Sequence, residues 1–213
     1  MDCPIESSVH AAQKNREYKS IAPRLADGPV DLEQLFDKPG ELELDIGFGK
    51  GRSVLERASQ HPQACLVGIE VKPKCAYQVA ERCSKQGLDN VRIYAGDAGE
   101  VLCRCKPDQV LYRVFIHFPD PWWKKRHSKR RVINPGLLNE LARLLRPAGE
   151  LFIQTDVQER ALAYRALLAG HPAFTLQGNE GWVDGNPYGA RSNREIRAER
   201  DGLPIWRICA HRV

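Results

Sequence analysis

From Glu41 onward the chain alternates short apolar runs with amphipathic stretches of helical length, and this alternation leaves few ways to fold. Glu41–Ile46, Cys65–Glu70, Val91–Tyr94, Gln109–Phe118 and Glu150–Thr155 read as strands. Gly51–Ser59, Pro73–Lys85, Pro135–Leu145 and Val157–Leu168 read as the helices between and after them. Asn134 is a natural N-cap for the third helix, with Pro135 at its first position. Strands separated by helical crossovers pair in parallel, so the expected fold is α/β: a mostly parallel twisted sheet with helices on both faces. Ile205–Arg212 is expected to close the sheet as an edge strand. Residues 1–30 are polar and read as a loosely ordered arm, leaving 31–213 as the folded domain. A chain of 213 residues buries about 70% of its unfolded surface, enough for one sizeable core.

The first strand runs into Asp45-Ile46-Gly47-Phe48-Gly49-Lys50-Gly51, which opens the first helix. Glycines between a strand and a helix let the backbone approach a ligand closely. A dinucleotide fingerprint needs its third glycine at 52, where Arg52 stands, so the spacing favours another nucleoside ligand. Glu70 ends the next strand, where a carboxylate can take both hydroxyls of a ribose. Asp97, after Gly96 at the end of the third strand, is placed to meet an adenine amine. Asp45, Glu70 and Asp97 at the carboxyl ends of three successive strands, with Gly47 and Gly49 between, best fit an S-adenosylmethionine pocket of Rossmann-like class I methyltransferase type. Glu70 and Asp97 have a plainer reading too, as caps of the helices that follow them.

Beyond the fourth strand lies Phe118-Pro119-Asp120-Pro121-Trp122-Trp123, followed by the basic run Lys124 to Arg131. Two prolines hold Asp120 in a stiff, extended turn. The aromatics offer flat faces for a base and the cations offer partners for phosphates. Net charge is only +5, but the cations concentrate at 124–131 and again from Arg191 to Arg212, which favours a polyanionic partner. Arg191, Arg194, Arg197 and Arg200 recur every third residue; they read either as a helical face toward RNA or as surface charge balanced by Glu195, Glu199 and Asp201. Seven cysteines without a C-x-x-C pair read as reduced, packed thiols, and the histidines lack metal-ligand spacing, so no metal is expected. No apolar run is long enough to span a bilayer, and no membrane partner is expected.

The F-P-D-P-W motif with its basic stretch, at Phe118 to Arg131, resembles the signature of the bacterial tRNA (guanine-N7)-methyltransferase family. Gly68-Ile69-Glu70, Gly96-Asp97-Ala98 and Thr155-Asp156 fall in the family's order, and the resemblance runs from about Glu41 to Trp206. It implies an enzyme that moves a methyl group from S-adenosylmethionine to N7 of a variable-loop guanosine in tRNA; the reduced cysteines place it in the cytoplasm, and monomer and homodimer both stay open. It implies cofactor contacts at Asp45, Glu70, Asp97 and Asp120, and substrate contacts at Lys124 and Asp156. A C-terminal substrate segment, T-K-F-E in the family, aligns with Ser192-Asn193-Arg194-Glu195; only Glu195 is identical, and Ser192 keeps a hydroxyl.

Guanine N7 carries a free lone pair, so its attack on a sulfonium methyl needs alignment and no general base. Asp120 is therefore read as the catalytic orienter, and as the charge that stabilises the methylated, cationic ring. Lys124, Lys125, Arg126, Lys129, Arg130 and Arg131 are read as phosphate contacts. Two alternatives stand beside this reading: an exocyclic-amine methyltransferase, since Asp-Pro-Trp resembles D-P-P-Y motifs, and a non-catalytic RNA-binding subunit that keeps the fold.

Overall fold

The computed structural model describes residues 22–119 and 132–213. In chain order the elements are β1 (Val30–Asp31), a single 3₁₀ turn (Glu33–Leu35), β2 (Glu41–Ile46), α1 (Arg52–Gln60), β3 (Ala64–Glu70), α2 (Pro73–Lys85), β4 (Val91–Ala95), α3 (Ala98–Leu102) and β5 (Cys105–Lys106). There follow β6 (Leu111–His117), α4 (Pro135–Leu144), β7 (Leu145–Thr155), α5 (Gln158–Ala169), β8 (Phe174–Leu176), α6 (Asn193–Arg200) and β9 (Trp206–Arg212). Seven strands form one sheet in the order β4-β3-β2-β6-β7-β9-β8, and β1 pairs separately with β5. The strands from β4 to β7 are all parallel, as crossover connections require. The chain builds outward from β2 to β4, then crosses back to lay β6 on the other side of β2. A crevice therefore opens between the carboxyl ends of β2 and β6, where strand order reverses.

The expected edge strand at the C-terminus is an interior one. β9 runs antiparallel to β7 on one side and to β8 on the other, so β8 is the edge. Phe174–Leu176 is only three residues long, too short to read from periodicity. The long fourth strand also starts later than expected and stops at His117, because Gln109 (φ +60°) and Phe118 (φ +48°) both adopt left-handed backbone.

The two faces of the sheet are built differently. On one, Leu42, Leu44, Ile46, Val114, Ile116, Leu151, Ile153, Ile208 and Ala210 pack against α3, α4 and α5 in an apolar core. Helix α4 shows why: Asn134 Oδ1 accepts the Leu137 N–H at 3.0 Å, and Leu137, Leu138, Leu141 and Leu144 form its buried stripe. Each such leucine contributes about 1.5–3 kcal/mol of burial. The opposite face is apolar under α1 and α2, where Val54, Leu55, Ala76 and Val79 meet Leu66 and Ile93. Ala22 is buried in this second cluster, and the Pro23 carbonyl accepts the Ala95 N–H at 2.6 Å.

Between β2 and β9 that same face is polar and aromatic, in three cross-strand rows. Farthest from the crevice lies a charge ladder, Glu43-Arg113-Glu150-His211. The middle row is Asp45-Phe115-Phe152-Cys209, and nearest the strand ends runs His117-Gln154-Arg207. Fully buried Glu43 is held by Arg57 of α1, at 2.6 and 2.8 Å, and by Arg113 at 3.0 Å. The Arg57 guanidinium also lies over the rings of Phe115 and Tyr188, fastening the segment before α6 to the sheet.

Candidate functional site

The glycine turn after β2 is shaped by three left-handed residues, Gly47 (φ +73°), Gly49 (φ +57°) and Gly51 (φ +71°). Their reasons differ. A Cβ on Gly51 would come within 2.4 Å of Val79 Cγ2, so Gly51 lets α1 seat against α2. A Cβ on Gly47 or Gly49 would meet nothing within 4 Å, so at these two the backbone angle alone demands glycine. The Gly47 N–H is bonded to the Ile69 carbonyl at 2.8 Å.

Glu70 is buried, and its carboxylate ties the turn to the end of β3: Oε2 accepts the Gly49 N–H and Oε1 the Lys72 N–H, each at 2.9 Å. Each oxygen retains a second lone pair, so Glu70 can still accept from a vicinal diol. Asp45 is buried beneath the turn. Its Oδ2 accepts the Ser53 hydroxyl at 3.0 Å, while Oδ1 is sealed from solvent without a partner. Burial pushes the Asp45 carboxyl up to about 7, with the Ser53 hydrogen bond opposing and the Glu70 charge adding. Asp97 caps α3 by accepting the Glu100 N–H at 3.2 Å. The Gly96 N–H before it reaches the Glu70 carbonyl at 3.1 Å, which keeps the ends of β3 and β4 together. Asp45, Gly47, Gly49, Glu70 and Asp97 thus line consecutive strand ends on one side of the switch point. Ser53, which steadies Asp45, carries no sequence signal of its own beyond following the turn.

Across the crevice, α6 meets the end of β7 and the start of β9. Ser192 Oγ accepts the Glu195 N–H at 3.1 Å and Glu195 reaches back to the Ser192 N–H at 3.3 Å, a reciprocal cap that starts α6. Glu195 is fully buried and also accepts from Gln154 (2.8 Å), Asn186 (3.3 Å) and Arg207 (3.2 Å). Asp156, just past β7, is ion-paired with Arg194 of α6. Asp156, Ser192 and Glu195 are therefore brought together, joined by three residues that the motifs do not flag: His117, Gln154 and Arg207. Their signal is subtler, a polar residue interrupting an apolar strand near one end: the carboxyl end for His117 and Gln154, the amino end for Arg207. Asp120, Lys124, Arg126, Lys129 and Arg130 lie outside the described residues.

The fold resembles solved methyltransferases. TrmN from Thermus thermophilus matches with a TM-score of 0.59 and 23% identity, over 85% of this chain and 47% of that one. The 16S rRNA methyltransferase KamB matches at 0.55 and 16%, over 85% and 90%. With this topology, the crevice at the switch point and its carboxylate-lined glycine turn define a Rossmann-like methyltransferase domain. The methyltransferase family model Methyltransf_4 matches residues 40–208. A Nitrosococcus oceani protein named tRNA (guanine-N(7)-)-methyltransferase is 39% identical over 94% of this chain and 85% of its own length. Proteins of the same name from Pseudomonas putida (35%, covering 89% and 79%) and Trichormus variabilis (33%, covering 87% and 88%) match likewise. The chain belongs to the tRNA (guanine-N(7)-)-methyltransferase family.

Proposed function

We propose that the protein methylates N7 of a variable-loop guanosine in tRNA, with S-adenosylmethionine held in the crevice at the end of β2 and the guanosine entering from the β6 and β7 side. The observation that carries this reading is the crevice itself: a glycine turn, an unpartnered buried Asp45 oxygen and the Glu70 carboxylate at the sheet's switch point, in a chain of this family. These residues suit a nucleoside with a cationic tail. Glu70 would take the ribose hydroxyls, Asp97 the adenine amine, the Gly47–Gly49 turn the close approach, and Asp45 would face positive charge. The cofactor supplies an electrophilic methyl group on sulfur.

The chain's part is alignment. Asp120, the next residue after Pro119 at the end of β6, would orient the purine and stabilise the positive charge that the ring gains. Asp156, Ser192 and Glu195 form the guanosine's other wall, directly or by holding it in place. Lys124, Arg126, Lys129 and Arg130 would hold phosphates. Among the described residues no helix is long and apolar enough to cross a membrane; the enzyme would act on free tRNA in the cytoplasm.

The test pairs binding with product analysis. Unmodified tRNA transcripts incubated with labelled S-adenosylmethionine should yield 7-methylguanosine on digestion. Glu70→Ala should weaken cofactor binding at least about tenfold by calorimetry, about 1.4 kcal/mol. Unchanged affinity would remove Glu70 from the pocket. No transfer despite tight binding of both ligands would favour a non-catalytic RNA-binding role.

A further inference from the structure

We propose that Gln154 is a positioning residue that locks the end of β6 to the start of α6, so that the two walls of the guanosine site move as one body; the proposal rests on the function just given. Strand β6 ends at His117, and the backbone turns at once: Phe118 takes a left-handed φ of +48° and donates its N–H to the Gln154 carbonyl at 2.7 Å. The Gln154 side chain repeats the tie. Its Nε2 lies 2.7 Å from His117 Nδ1 and 2.8 Å from Glu195 Oε2, and its Oε1 accepts from Arg207 Nε at 3.2 Å. Gln154 and Glu195 are fully buried, and His117 nearly so.

This arrangement permits only one orientation of the amide. Turned over, the amide oxygen would face the Glu195 carboxylate and the amide nitrogen would face the Arg207 guanidinium, two like-to-like contacts between buried groups. With the amide set, one of its protons goes to Glu195 and the other to His117 Nδ1. His117 Nδ1 must then be an acceptor, and the ring carries its proton on Nε2. Burial pulls the His117 pKa down to about 4, so the ring stays neutral at physiological pH and the bridge does not break by protonation.

Glu195 extends the tie into α6, because the same carboxylate caps the helix through the Ser192 N–H and receives Asn186 and Arg207. One glutamine therefore joins the strand that leads to Phe118-Pro119 with the helix that carries Ser192 and Glu195. A methyl transfer that depends on alignment is sensitive to such a joint, since a misplacement of about 1 Å can cost about 100-fold in rate.

The test uses the full-length enzyme with unmodified tRNA and S-adenosylmethionine. Gln154→Leu keeps an uncharged side chain there and removes the bridge; kcat should fall about 100-fold, with cofactor Kd changed by less than about twofold. Nitrogen NMR of the wild type should find His117 Nδ1 unprotonated and Nε2 protonated between about pH 6 and 8. Wild-type kcat and KM in Gln154→Leu, or a wild-type His117 with its proton on Nδ1, would each overturn the proposal. A wild-type protein that transfers no methyl would instead contradict the functional reading, and the nitrogen shifts would then decide the bridge on their own.

Discussion

At the scale of single residues, two buried titratable groups of the central sheet shift in opposite directions. The Asp45 carboxyl is raised from 3.8 to about 7, so the folded state holds a proton that the unfolded chain has lost. Its contribution is favourable below about pH 4 and drains away as pH rises through 7. His117 is lowered from 6.5 to about 4, so its contribution is present above 6.5 and is lost as pH falls. The two slopes oppose each other between about pH 4 and 6.5. Asp45→Asn removes only the first, so the stability of the variant relative to wild type should grow by about 3 kcal/mol from pH 4 to pH 7 in denaturant titrations without ligand. A gap that stays constant with pH would mean that Asp45 is already ionised at pH 4 and open to solvent.

At the scale of elements, the glycine turn separates packing from binding. Gly51→Ala brings both a left-handed backbone cost of about 1–2 kcal/mol and an overpacking cost of about 1–3 kcal/mol against Val79. Gly49→Ala brings the backbone cost alone, because its Cβ would meet open space. Thermal denaturation should therefore rank Gly51→Ala well below Gly49→Ala, while cofactor binding should suffer in Gly49→Ala beyond its loss of stability. The reverse ranking would show that Val79 yields freely. Much of this was legible beforehand. Apolar runs bounded by a glycine turn or by Asn134-Pro135 declare β2, β3, β4, α2 and α4 almost to the residue, because local signals act there. What stayed hidden depends on partners far along the chain: three-residue β8, the two-residue pair β1–β5, and the interior place of β9. The candidate site divides the same way. Glycines and acidic strand ends advertise the proposed cofactor side, whereas the bridge through Gln154 becomes visible only when β6, β7, β9 and α6 are assembled.

At the scale of the whole molecule, the charge is less available than the sequence implies. Arg191 pairs with Glu199, Arg194 with Asp156, and Arg197 and Arg200 with Asp201, so the C-terminal arginines are balanced largely within their own helix and its neighbours. On the proposed function, the electrostatic share of tRNA binding would then fall on Lys124 to Arg131. Replacing Lys124, Arg126, Lys129 and Arg130 by alanine should flatten the dependence of log affinity on log salt by about one unit per lost phosphate contact. Arg197→Ala with Arg200→Ala should change it by well under one unit, and a larger effect from that pair would move the RNA footprint onto α6.

The central claim concerns an atom, and the most direct measurement removes that atom. Methyl transfer from labelled S-adenosylmethionine would be compared between two tRNA transcripts that differ only in guanosine or 7-deazaguanosine at the methylated position of the variable loop. Transfer to the first alone, at undiminished binding of the second, is the result predicted for attack by N7. Equal labelling of both would place the methyl group elsewhere on the base and contradict the account.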